Sequence, residues 1–220
     1  MVKKNRFNLD YILFIFIPIS IILGPTISLL NIILFSFYYI YQNLKIEEFK
    51  SLIKNKTILL LILLNLYLIL HTFVSLDSSI SIFRNFGFIR FIIFFIAINF
   101  FFYQNNYNIY VLKPWLIIFS IFIFDVFFER FYGTNILGYG AIDTSHGSRI
   151  VSFFKDEPIA GAYINGFLFL ILGYISLVLK KRGDFYKYFS LLFFVLFLIS
   201  VLVTGERSNT IKAILGFSIF

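Results

Sequence analysis

The sequence predicts an all-α integral membrane protein, a polytopic helix bundle, on three observations. Hydrophobic residues make up 60% of the chain and charged residues 14%, whereas soluble domains carry about 45–50% and about 25%. Mean hydropathy is +0.92. The apolar residues also fall in long runs, and a helix rising about 1.5 Å per residue needs about 20 of them to cross a hydrocarbon core of about 30 Å. The same composition excludes a disordered chain, which needs low hydrophobicity and high charge.

The first apolar run, 9–41, is too long for one span and is interrupted by Gly24-Pro25. Proline removes a backbone donor and clashes inside a helix, so the run reads as two short helices, about 9–24 and 26–41. Further spans are expected at about 57–73, 85–103, 110–128, 159–179 and 185–204. A last run, 211–220, is too short to cross. The expectation is about seven transmembrane helices plus a truncated eighth, in a single domain covering 1–220. No small-residue cleavage site follows the first run, so it reads as a retained span, not as a signal peptide. The connection 129–158 is long, and connections of that length are usually functional or disordered.

Charge sets the orientation. With the N-terminus in the cytoplasm, Lys3, Lys4, Arg6, Lys45, Lys50, Lys54, Lys56, Lys113, Lys180, Lys181, Arg182 and Lys187 all fall inside. Against them stand Asp10, Glu47, Glu48 and Asp184, and the opposite side is close to balanced. The net charge of +8 is thereby explained by the positive-inside bias, and nucleic-acid binding loses its support. A mere kink at Gly24-Pro25 would turn the Lys180–Lys187 loop outward, against that bias.

Several chemistries are excluded or weakened. The chain has no cysteine and two histidines, which removes disulfides, thiolate catalysis and Cys-ligated metals. No phosphate-binding glycine loop or zinc signature is present. Ser145-His146 with Asp143 lacks the strand-turn-helix setting of a hydrolase triad. His146 could act as a general base or be a solvated loop residue, and His71 reads as an interface residue. Asp156-Glu157 is too little to claim a cation. No metal, cofactor or catalytic residue is assigned.

Arg149, in the long loop, and Arg207, in the turn 204–209, are singled out because they share the outer side. A guanidinium presents a planar fork of donors suited to phosphate oxygens, so together they could hold a lipid diphosphate. Each could instead anchor a span end or pair with Glu157 or Glu206. Arg90 and Asp125 lie within expected spans, where ionisable residues are costly and usually paired or functional. An Arg90–Asp125 ion pair between adjacent helices is one reading, and substrate handling is the other. Arg84 reads as an interfacial anchor.

Two segments carry a family resemblance. Arg149-Ile150-Val151-Ser152-Phe153-Phe154-Lys155-Asp156-Glu157-Pro158-Ile159-Ala160-Gly161 resembles an outer-loop motif of the O-antigen ligase and O-antigen polymerase superfamily. Leu202-Val203-Thr204-Gly205-Glu206-Arg207-Ser208-Asn209 resembles that family's turn at the outer end of a span. The resemblance implies a GT-C-like bundle in the bacterial inner membrane. It implies a glycosyltransferase that ligates or polymerises glycans carried on undecaprenyl diphosphate at the periplasmic face, in polysaccharide or lipopolysaccharide biosynthesis. The acceptor would be another glycan or lipid A-core, with neither nucleotide sugar nor metal required. Arg149 and Arg207 match the motif arginines, which implies diphosphate contact; Lys155, Glu206, Arg90 and Asp125 are the supporting candidates. Relatives continue with a further loop and spans, so the chain is expected to be the N-terminal portion of such a protein and inactive alone. A transporter or flippase subunit stays open, as does a noncatalytic membrane scaffold.

Overall fold

A computed structural model describes residues 9–43, 55–75, 77–104, 109–140, 142–144, 147–155, 157–179 and 185–219. His146, Asp156 and most of the basic residues assigned to the cytoplasmic side (3–6, 45–54 and 180–182) lie outside the described residues. The described chain is helical apart from one short β-hairpin. Sequence suggested one domain; the chain divides into two compact units, Met1–Ile21 with Pro25–Asn108, and Ile22–Gly24 with Ile109–Phe220.

The first unit holds α1 (Leu9–Ile22), α2 (Pro25–Asn43), α3 (Lys56–His71), α4 (Ser78–Gly87) and α5 (Ile89–Gln104). The chain breaks between α1 and α2 at Gly24, whose φ of 119° suits a residue without Cβ. Pro25 then opens α2, where its missing N–H leaves no intrahelical bond unmade. Phe14 of α1 is buried against Phe101, with ring centroids 4.7 Å apart, and against Phe102 edge-on. Phe35 of α2 meets Phe94 and Phe101 of α5. The Asn31 amide donates to the Leu13 carbonyl at 3.2 Å and so ties α2 to α1.

Asn85 clasps α4 to α3, donating to Leu68 O at 2.7 Å and Thr72 Oγ1 at 2.8 Å, while Asn65 donates to Asn85 O. Asp77 accepts from Ile80 N–H and Ser79 Oγ. This cap turns Ser78–Arg84 into helix, although the span was expected to begin near 85. Arg84 therefore lies in the last turn of α4.

The second unit holds α6 (Lys113–Tyr132), the strands β1 (Ile142–Thr144) and β2 (Gly147–Arg149), then α7 (Ala160–Leu179), α8 (Phe185–Val203) and α9 (Arg207–Ile219). The strands pair antiparallel, with Ile142 opposite Arg149. Helix α6 runs four residues beyond its expected end at 128 and stops at Gly133, whose φ of 79° lets its N–H cap the Glu129 carbonyl. Phe119 and Phe122 are fully buried. Phe119 stacks on Tyr163 of α7 at 5.1 Å and meets Phe197 of α8. Trp115 packs edge-on against Phe167.

Among the described residues, three helical stretches, Lys56–Val74, Ser78–Phe102 and Ala160–Val178, are long and apolar enough to cross a membrane. Leu9–Ile22, Pro25–Tyr41 and Leu191–Val203 are shorter apolar helices.

Two glycines give contrasting expectations. A Cβ on Gly216 of α9 would strike the Phe169 ring of α7, whereas a Cβ on Gly166 meets nothing within 4 Å. Gly216→Ala is expected to lower thermal stability by about 1–3 kcal/mol through overpacking. Gly166→Ala should leave it unchanged or raise it by up to about 1 kcal/mol, since alanine is the better helix former. Thermal unfolding of the two variants in one detergent checks both.

Candidate functional site

The site is built at the C-terminal end of α6. Asp125 and Glu129 lie one helical turn apart and therefore on one face, and they are 0% and 2% exposed. Buried carboxylates need hydrogen-bond donors, and the segment after the helix supplies them. Asp125 accepts from Ile136 N–H at 3.0 Å and from the Ser152 hydroxyl at 2.6 Å. Glu129 accepts from Val151 N–H at 3.1 Å and Ser152 N–H at 2.6 Å. Glu129 stands just past the expected span end. Burial pushes its carboxyl above the ordinary carboxylate value, opposed by the two N–H donors and reinforced by the charge of Asp125.

Asn135 completes the fastening. Its side-chain oxygen accepts from Leu137 and Tyr139 N–H, and its amide donates to Ser152 O at 2.6 Å. Ser152 is thus held through its N–H, hydroxyl and carbonyl, with φ at 50° and no exposed surface. Phe154 then packs on Phe122 and Tyr163.

The 204–209 turn docks onto the same segment. Ile150 N–H donates to Thr204 O at 3.4 Å. Glu206 Oε1 accepts from Gly161 N–H at 2.6 Å, and its other oxygen accepts from the Asn209 amide. Gly161 allows this approach, because a Cβ there would lie 2.6 Å from Thr204 Oγ1 and 3.0 Å from the Glu206 carboxylate. The segments bearing Arg149 and Arg207 are therefore joined by main-chain hydrogen bonding.

Arg149 closes β2, half-buried, and its Nε is buried with no hydrogen-bond partner among the described residues. Arg207 is exposed at the first residue of α9. The pairing of either arginine with Glu206 suggested by sequence is not what occupies that carboxylate, since Gly161 and Asn209 do. Lys155 is exposed, with Nζ 5.9 Å from the centre of the Tyr139 ring. Arg90 belongs to the first unit and lies over the Phe91 ring at 4.9 Å. The two donors to Asp125, Ile136 N–H and the Ser152 hydroxyl, lie in its own unit. Among the described residues, no three His, Asp or Glu side chains gather to hold a metal ion.

Sequence reading did not single out Glu129, which falls at the start of the expected 129–158 connection. The signal was the pair of acids four residues apart at the end of an apolar helix. Asn135 was also missed, and nothing but the neighbouring Gly133 and Gly138 marks a turn there.

Asn135→Ala removes three hydrogen bonds from a residue 2% exposed and should cost about 2–3 kcal/mol. The expected sign is faster limited proteolysis within 133–155. Asn135→Asp keeps both acceptor bonds and should cleave at an intermediate rate. No protein family, curated protein or solved structure matches the chain.

Proposed function

We propose that the chain is a multi-pass protein of the bacterial inner membrane, with a cytoplasmic N-terminus, that acts as O-antigen ligases and polymerases do. In this reading Arg149 and Arg207 contact the diphosphate of an undecaprenyl-diphosphate-linked glycan at the periplasmic face. One observation carries the reading. The two segments that resemble the family are clasped by the Ile150–Thr204 hydrogen bond, and Arg149, beside that clasp, keeps a buried Nε without a partner among the described residues. An unsatisfied buried N–H of a charged group is costly, and an anion that accepts from it would remove the cost.

The apolar surface supports the membrane part. Leu60, Leu63, Leu66 and Leu70 of α3 are more than half exposed, as are Leu170 and Leu177 of α7. Apolar surface on that scale marks contact with lipid or another protein. The clustering of basic residues on one side of the expected spans supports the orientation.

The chemistry follows from where charge develops. An acceptor hydroxyl of a glycan or of lipid A-core forms a bond to the anomeric carbon while the bond from that carbon to the lipid diphosphate breaks. The leaving diphosphate takes the electron pair of that bond, and the hydroxyl proton is released to water. Fixed donors aimed at those oxygens lower the barrier more than they tighten the ground state. A planar guanidinium offers two parallel hydrogen bonds to one phosphate, which an ammonium does not.

Binding of undecaprenyl diphosphate to the protein in nanodiscs tests the reading. Arg149→Ala and Arg207→Ala should each weaken it about tenfold or more, the scale of one lost charged hydrogen bond. Arg149→Lys should restore only part. In cells, either alanine substitution made in the full-length protein should abolish polymeric glycan on a lipopolysaccharide gel at normal membrane levels of the protein. Unchanged affinity and unchanged banding in both would remove the two residues from the site.

A further inference from the structure

We infer that Asp125 and Glu129 are positioning residues for Arg149, acting through Ser152; the ligand named in the test rests on the diphosphate reading. The two carboxylates are buried on one face of α6 and make four hydrogen bonds, all to the segment 136–152. Three of the four converge on Val151 and Ser152. Asn135 adds a bond to the Ser152 carbonyl.

Ser152 therefore has its backbone held at the N–H and the carbonyl and its side chain at the hydroxyl, and this holds a residue with a Cβ at φ 50°. Strain of that kind persists only where surrounding contacts over-determine it. Three residues upstream is Arg149. Between them, Ile150 is fixed to Thr204, and Arg149 itself is paired with Ile142. The root of the guanidinium is thus tied to α6 through Ser152, to the 204–209 turn through Ile150, and to β1 directly. A charged donor recognises an anion well only if its supporting groups hold it in place.

The choice of side chains points the same way. A loop needs no charged residue to be anchored, and burying two carboxylates one turn apart opposes folding unless every oxygen finds a donor. Departures of this sort from simple core patterning are expected where position matters more than stability.

The full chain in nanodiscs provides the test, with two measurements on each variant: amide hydrogen exchange over 149–154 and binding of undecaprenyl diphosphate. Glu129→Gln puts an amide donor against a backbone N–H. It should speed exchange over 149–154, leave exchange in α7 and α8 unchanged, and weaken binding about tenfold, the scale of a small misplacement at a site. Asp125→Asn keeps an acceptor for Ile136 N–H and should rescue most of what Asp125→Ala loses. Ser152→Ala retains both Glu129 bonds, so it folds even where Glu129→Gln does not, and it should give intermediate exchange and affinity.

Fast exchange over 149–154 combined with wild-type affinity would overturn the positioning role. Wild-type exchange in both Glu129→Gln and Ser152→Ala would overturn the clamp itself. If the wild-type protein binds no diphosphate while Glu129→Gln still exchanges fast, the clamp stands and the ligand assignment falls.

Discussion

Two carboxylates placed where water does not reach, at the end of α6, set the terms for the whole second unit. Asp125 and Glu129 cannot be buried alone, because a charge taken from water without donors would oppose folding by several kcal/mol. The helix has no spare donors of its own there, so the chain after Gly133 must turn back and present its N–H groups. That requirement places Ile136, Val151 and Ser152. Once they are placed, Phe154 is brought against Phe122 and Tyr163, and the apolar core and the polar loop become parts of one packing problem. Non-directional burial decides that the helices associate; the directional bonds decide which loop conformation accompanies them.

The first unit uses the same division of labour with neutral groups. Rings of α1, α2 and α5 gather around Phe14 and Phe35, while asparagines supply the direction: Asn31 between α1 and α2, Asn65 and Asn85 between α3 and α4. An amide donates and accepts without carrying charge, so it fixes register at lower desolvation cost than a carboxylate. Among the described residues, the buried carboxylates Asp125, Glu129 and Glu206 are found in the unit whose loop carries Arg149, the residue on which the proposed chemistry turns.

Much of the helical layout was legible because its signals are local. Apolar run length marked the helices, and Gly24-Pro25 marked the break between α1 and α2 because each residue has a backbone preference that no neighbour overrides. The early start of α4 was hidden, since Asp77 and the serines after it look like loop until the cap is seen. The β1–β2 pair was hidden too, because neither Ile142-Asp143-Thr144 nor Gly147-Ser148-Arg149 has a strand pattern of its own. The division into two units leaves no mark on hydropathy, which records how apolar each helix is and not which helix it meets. At the site, Arg149 and Arg207 stood out through motif likeness, and their segments do meet. Glu129 did not stand out, because its role depends on donors that follow it by more than twenty residues. Long-range hydrogen bonds of this kind are invisible to any local window.

Glu206 joins two helix starts in a single residue. Its carbonyl accepts from Thr210 N–H and begins α9, while its side chain accepts from Gly161 N–H in the first turn of α7. The beginnings of α7 and α9 are therefore one mechanical joint, although more than forty residues separate Gly161 from Glu206 along the chain. Inserting or deleting a residue between Thr204 and Asn209 would not stay a local change of turn length. It would rotate the start of α9 and at the same time pull the acid away from the start of α7, so this short turn should tolerate changes of side chain far better than changes of length.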